Sequence, residues 1–131
     1  MLAGSFALLL ALIGLLAVPH PVAAAEVRQV RQATLLQVGD SNRSYAVRLA
    51  CISVGPEQEA EATAWLRRLA PRGTRVNLRP MGEREGTLLA RVTTLPGGRG
   101  ASEDLSGALV THGFAQPALD SLTDARCSGL S

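Results

Sequence analysis

The chain has 131 residues, with 13 basic and 11 acidic side chains and a formal net charge of +2. All charged residues lie after position 25, and the 106 residues that follow suffice for one domain, which excludes a multidomain enzyme, a dinucleotide-binding double-wound sheet and a polytopic membrane protein. The small net charge disfavours a dedicated non-specific nucleic-acid binder.

The first 25 residues have the pattern of an export signal. Phe6–Val18 is apolar except for Gly14, two prolines follow it, and Ala23–Ala25 supplies small residues before Glu26. The 13 residues of this run would extend about 20 Å as a helix, which is short of a ~30 Å hydrocarbon core. We therefore expect an apolar signal helix that is cleaved near Glu26, and an exported protein with no stable membrane span. An uncleaved anchor is the alternative.

Two segments early in the chain predict a β-hairpin. Val27–Val38 is rich in strand-forming residues and ends at Gly39–Asn42, a cluster of turn formers. Ser44–Ile52 alternates with a two-residue period, so its side chains divide between two faces. Both faces are mainly apolar, and Arg48 is the exception on one of them.

The next segment predicts a helix over Pro56–Leu69. Proline is well tolerated at the first helical position, glutamates follow it, and Arg67 and Arg68 lie near the end, as the helix dipole favours. The residues that share one stripe, and are therefore expected to face the core, are Ala60, Ala64, Trp65 and Leu69.

The second half of the chain continues the alternation of strands and helices. In order, the patterns predict a strand at Thr74–Arg79, a polar loop at Pro80–Gly86, a strand at Thr87–Leu95, a loop at Pro96–Gly100, a helix capped by Ser102 and ending before Gly113, a short strand at Phe114–Ala115, and helical turns within Pro117–Arg126. This order is typical of an α+β domain with a compact five-stranded barrel.

The two cysteines, Cys51 and Cys127, are 76 positions apart. Neither belongs to a CxxC or Cys/His pattern, so we expect no metal site at either one. In an oxidising compartment the pair can form a disulfide that ties the end of the chain to the body. The alternative is that Cys51, which lies among apolar residues, is a small buried hydrophobic side chain.

Three segments resemble blocks of staphylococcal-nuclease-like (SNase-like, thermonuclease) domains. Val47–Ile52 with the following Pro56-Glu57 resembles the family's RLxxID–PE block, Gly86–Val92 its YGRxLAxV strand, and Leu105–Ala115 its VNxxLVxxGxA helix and turn. The blocks occur in the family's order. The resemblance implies an OB-fold barrel over residues 26–116, followed by a C-terminal tail with a short helix over residues 117–131. It also implies Ca²⁺-dependent phosphodiesterase activity as the family's usual function.

Two of the five key positions for that chemistry match. The family needs carboxylates to hold the cation, a carboxylate near the attacking water, and two arginines on the phosphate. Arg48 matches the first arginine and Glu57 the PE glutamate, although the spacing between them is one residue longer than in the family. Thr87 occupies the position of the second arginine and Ser53 that of one metal aspartate. Residues 31–34, where the other metal aspartate is expected, contain no acid.

We therefore expect Arg48 and Glu57 to be vestiges of a catalytic site, in a monomeric binding or scaffold module without metal or cofactor. Its partner, a protein or another ligand, is not specified by the sequence. The alternative is an active Ca²⁺-dependent nuclease with a rearranged site. In that case Asp40, Glu83 or Glu85 would replace the missing acids, with Arg84 as the second guanidinium.

Binding of single-stranded nucleic acid without cleavage is a third hypothesis. It needs aromatic stacking platforms in a positive groove. After residue 25 the chain has only Tyr45, Trp65 and Phe114, and the last two are expected in the core. Arg48 also has a purely structural alternative, in which it pairs with Glu57 or packs its aliphatic stem on the barrel surface.

Overall fold

The fold is built on a closed five-stranded barrel, seen in a computed structural model that describes residues 24–96 and 101–130. The elements are β1 (Ala24–Gln32), β2 (Leu35–Asp40), β3 (Arg43–Leu49), β4 (Ile52–Ser53), α1 (Glu59–Leu69), β5 (Arg75–Arg84), β6 (Thr87–Thr94), α2 (Leu105–Thr111), β7 (Gln116–Pro117), and 3₁₀ turns at Leu119–Ser121 and Ala125–Cys127. Residues 1–23 of the predicted signal and residues 97–100 of the predicted loop lie outside the described part.

The barrel strands are ordered β1-β2-β3-β6-β5, and β5 pairs with β1 to close the ring. Neighbouring strands are antiparallel, except that β3 runs parallel to β6. Strands β4 and β7 form a separate two-stranded sheet outside the barrel. The prediction of an α+β domain with a five-stranded barrel is confirmed, and the mixed strand order is consistent with an OB-like fold.

Alternation along the strands explains how the barrel fills its interior. On β3, Val47 and Leu49 are buried while Arg48 between them is exposed, as a two-residue period requires. Val76 on β5 and Val92 on β6 are also fully buried, so facing strands contribute branched side chains to one core. The two helices add to it, with α1 packed against β1 and α2 against β6.

The predicted first hairpin is instead a three-stranded meander. The range predicted as one strand, Val27–Val38, contains most of β1, a turn at Ala33-Thr34, and most of β2. The Ala33 N–H donates a 2.9 Å hydrogen bond to the Glu59 carboxylate of α1. A contact from a distant helix therefore stabilises a turn that lacks the usual glycine, proline or asparagine.

The first helix begins later than predicted and buries a different face. Pro56–Gln58 forms a turn before α1, and its first helical residue is Glu59. Of the predicted stripe, Ala60 and Ala64 are exposed and Trp65 is half-buried. The residues that α1 does bury are Ala62, Thr63 and Leu66. The buried face turns towards β1 because the barrel wall, rather than helix hydrophobicity alone, sets its orientation.

Two further boundaries differ from the prediction. The expected loop at Pro80–Gly86 is largely strand, because β5 continues to Arg84 through an irregularity at Met81 and keeps pairing with β6. Asp104, rather than Ser102, caps α2, since its carboxylate accepts a 2.8 Å hydrogen bond from the Gly107 N–H.

Replacing Glu59 should destabilise the barrel more than an ordinary surface change does. Glu59→Ala leaves the buried Ala33 N–H without its acceptor, which we expect to lower the free energy of unfolding by about 1–3 kcal/mol. Glu59→Gln keeps an acceptor oxygen and should lose less. Glu61→Ala is the matched control, because Glu61 is an exposed acid in the same helical turn. Equal losses for Glu59→Ala and Glu61→Ala in chemical denaturation would contradict this account of the turn.

Candidate functional site

The parallel pair β3–β6 brings the residues singled out by the sequence onto one outer face of the barrel. Arg48 is paired with Leu89, so Thr87, two residues earlier on β6, lies on the same face. Thr87 is in turn paired with Arg84 across the β5–β6 hairpin. Thr87, the position predicted for a second arginine, therefore lies near Arg48 but carries a hydroxyl. The arginine paired directly with Thr87 is Arg84.

A cleft of about 660 Å³ lies beside Arg48. One wall is the β5–β6 hairpin, and the other is the tail segment, which we define as residues 118–130. Apolar side chains such as Ile52, Met81 and Leu89 contribute to its lining. The cleft is therefore amphipathic, with an apolar floor and charged groups around it.

The charged lining of the cleft comes from three parts of the chain. Its members are Arg48, Glu83, Arg84, Glu85, Asp120, Asp124 and Arg126. Asp124 and Arg126 form an ion pair at 2.9 Å, and the hydrogen bonds from Arg126 hold the pKa of the Asp124 carboxyl below its usual value. Among the described residues, no ion pair within 4.0 Å involves Arg48 or Arg84.

Arg48 has a structural partner but not the expected one. Its Nη1 donates a 3.0 Å hydrogen bond to Thr34 Oγ1, in the turn between β1 and β2. The ion pair with Glu57 that the sequence suggested is not present among the described contacts. Glu57 is exposed before α1, and its carboxylate lies over Gly55 outside the lining of the cleft. The structure therefore does not bring the two matched residues together.

The two positions expected for metal aspartates serve other purposes. Ser53 is exposed on β4, where it is paired with Gln116 of β7. In residues 31–34, the side chain of Ala33 is fully buried and Thr34 accepts the hydrogen bond from Arg48. In residues 24–96 and 101–130, no group of three or more His, Cys, Asp or Glu side chains is arranged to hold a metal ion.

The acids considered as replacements fall into two groups. Glu83 and Glu85 line the cleft with Arg48, as the rearranged-site hypothesis requires. Asp40 does not, because it is paired with Arg43 at the opposite end of the β2–β3 ladder from Arg48. Asp40 instead lies near Tyr45. Burial and the Asp40 charge raise the pKa of Tyr45, and Arg43 partly opposes that effect.

The two cysteines are bonded in the structure, with Cα atoms 5.6 Å apart. Cys51 lies two residues after the end of β3 and has a positive φ of 76°, a conformation uncommon for residues other than glycine. Its carbonyl accepts hydrogen bonds from the Ala118 N–H and from Ser121 Oγ. The disulfide and these bonds hold the tail segment along the cleft.

The aromatic residues lie away from this cleft. Trp65 and Phe114 are half-buried and 5.4 Å apart between ring centroids, at the contact of α1 with the end of α2. The exposed His112 packs on Trp65 at 4.6 Å. Stacking platforms therefore do not line the cleft, which weighs against the single-strand binding hypothesis.

No protein-family model and no curated protein matches this chain. In the part of the chain that the structure describes, no helix is long and apolar enough to cross a membrane.

The contribution of the tail segment was missed by reasoning from sequence. Asp120, Asp124 and Arg126 line the cleft. Ser121 is buried, and its hydroxyl donates a hydrogen bond to the Cys51 carbonyl. Their local pattern indicated only short helical turns. The available signal was Cys127, since a bond to Cys51 would necessarily bring this segment next to the end of β3.

The ionisation of Tyr45 should report the charge of Asp40. Tyr45 is the only tyrosine, so tyrosinate absorbance during an alkaline titration measures it directly. We expect a pKa above the usual value of about 10, and Asp40→Asn should lower it. Because the folded-state pKa is raised, this group's contribution to stability is complete below the unfolded-state pKa and is lost as the pH rises through the folded-state pKa. A pKa unchanged by Asp40→Asn would exclude the charge effect.

Proposed function

We propose that this chain is an exported SNase-like OB-fold domain with a degenerate catalytic site, which acts as a monomeric binding or scaffold module through the cleft beside Arg48. The observation that carries the proposal is the pairing of that face: Arg48 and Thr87 occupy neighbouring positions, and only one of them has a guanidinium. A single guanidinium lacks the two-sided grip on a phosphoryl group that cleavage requires.

The surroundings of Arg48 support binding rather than cleavage. Ser53 and Ala33 provide no charged oxygen for a hard cation such as Ca²⁺, which needs several oxygen ligands. The cleft nevertheless offers apolar surface together with the guanidinium groups of Arg48 and Arg84, neither of which forms an ion pair with another described residue. Carboxylates also line the cleft, so it suits a ligand or protein segment that has both an apolar and a charged part.

One observation favours the alternative, an active nuclease with rearranged residues. Glu83 and Glu85 line the same cleft as Arg48, and Arg84 is paired with Thr87. These residues belong to the right chemical classes, since carboxylates bind cations and guanidinium groups bind phosphate. In this alternative the β5–β6 hairpin would supply what the usual positions lack.

Nuclease assays with and without added Ca²⁺ distinguish the two functions. We expect cleavage of DNA and RNA at background level, because loss of even one preorganised donor commonly costs on the order of 10²–10³ in rate. Arg48→Ala should leave that background unchanged. Its matched control is Arg43→Ala, which removes an exposed arginine from the other end of β3. Robust Ca²⁺-dependent cleavage that is abolished by Arg48→Ala, but not by Arg43→Ala, would establish the nuclease instead.

Removal of the signal should leave a mature chain that starts within two residues of Glu26. The pairing of β1 with β5 favours a start at Ala24 or Ala25. These two residues are paired with Asn77 and Val76, and Ala25 is buried. N-terminal sequencing of the exported protein measures the start. A chain that retains residues 1–23 would contradict cleavage and identify an uncleaved membrane anchor instead.

A further inference from the structure

The tail segment is attached to the barrel mainly at one point. At Cys51, the disulfide to Cys127 is joined by two hydrogen bonds to the Cys51 carbonyl, from the Ala118 N–H at 2.9 Å and from Ser121 Oγ at 3.1 Å. All three links converge on a single residue at the end of β3. The tail segment therefore depends on the covalent bond that holds it to the barrel at Cys51.

The other attachments of the tail segment are few and mostly polar. Arg91 Nη1 donates to the carbonyls of Arg126 and Ser128, at 2.9 and 3.2 Å. Of the large apolar side chains in the segment, Leu130 is buried, whereas Leu119 is 88% and Leu122 66% exposed. The buried apolar area that could hold the segment without the disulfide is therefore small.

The barrel, in contrast, closes without the tail segment. Its five strands are hydrogen-bonded to one another around the whole ring. Its fully buried side chains come from the strands, as do Val27 and Val92, and from the two helices, as do Leu66 and Leu109. The tail segment adds only Cys127 and Leu130 to the hydrophobic core. Release of the segment would thus leave the ring of strands intact.

We propose that the Cys51–Cys127 disulfide is a redox-sensitive latch, whose two-electron reduction by a dithiol frees the tail segment and opens the cleft while the barrel stays folded. Both cysteines line the cleft and each is 8% exposed, so the cleft is the side from which an attacking thiolate would approach them. The latch does not depend on what the cleft binds. Only its use to control binding rests on the proposed function.

Reduction of the disulfide needs no reactant other than the dithiol. A thiolate of the dithiol attacks one sulfur of the disulfide, which breaks the S–S bond, forms a mixed disulfide and releases the other cysteine as a thiolate. The second thiol of the dithiol then displaces the bound cysteine. The products are two cysteine thiols and an oxidised dithiol, so two electrons and two protons pass from the dithiol to the protein.

Hydrogen exchange of the full chain tests the latch with dithiothreitol as the reductant. Mass spectrometry without reductant first measures the linkage, and we expect Cys51 and Cys127 peptides to be joined. After reduction, the amides of the tail segment should exchange about tenfold faster or more, while those of Val47 and Val92 keep most of their protection. Two free thiols in the natively exported protein would overturn the proposal.

Variants separate the effect of the bond from any effect of the reductant. Cys51→Ala/Cys127→Ala should show fast tail exchange without dithiothreitol, and Ser128→Ala, which keeps the bond, should not. Should the double variant fail to fold, reduction of the native chain still decides the matter. Unchanged tail protection after complete reduction would show that the non-covalent contacts suffice. Loss of amide protection in the barrel and the tail segment together would show that the disulfide stabilises the whole domain. That result would overturn the latch.

The proposed function fails in a distinguishable way. A short oligothymidylate and inorganic phosphate are titrated into the oxidised and reduced proteins. Fast tail exchange without any difference in binding between the two states would leave the latch intact and remove the cleft as the regulated binding site. Stronger binding after reduction, lost in Arg48→Ala but not in Arg43→Ala, would support both proposals.

Discussion

The parallel pairing of β3 with β6 is the constraint on which the rest of the molecule depends. Antiparallel neighbours need only short turns, but two parallel strands need a long crossover, which here carries β4, α1 and β5. Together with the pairing of β1 and β5, the β3–β6 pairing joins the first three strands to the β5–β6 hairpin and closes the ring. It also aligns Arg48 with Leu89 and leaves an outer groove between the β5–β6 hairpin and the segment that follows β7. Barrel closure and the shape of the cleft therefore have one origin.

The parts of the fold that could be predicted are those that a local sequence pattern specifies. The alternation around Arg48 and the strand at Thr87 could be recognised because each has a two-residue period between turn formers. The turn at Ala33 could not, because its stabilising acceptor is Glu59, which is 26 positions away. The buried face of α1 was missed for the same reason, since packing against β1 rotates Leu66 inward and leaves Ala64 outside.

The site was predictable in its chemistry more than in its geometry. Arg48 interrupts an apolar strand face and was assigned to the site by its motif, and it does line the cleft. Glu57 was chosen by motif alone and lies elsewhere. The positions of the tail-segment acids could not be predicted. Their approach to the barrel is decided by the bond between Cys51 and Cys127 rather than by any local pattern. The long-range disulfide places the residues that local sequence patterns did not predict.

The separation of the two cysteines also has a consequence for the order of assembly. During synthesis from the amino end, Cys51 emerges two residues after the end of β3, before β5 and β6 exist to close the ring. Its partner emerges 76 residues later, after every strand of the barrel. The thiol of Cys51 must therefore remain unpaired through most of chain elongation. The bond therefore cannot form until all five barrel strands have been synthesised, so it cannot guide the pairing of the strands as they emerge.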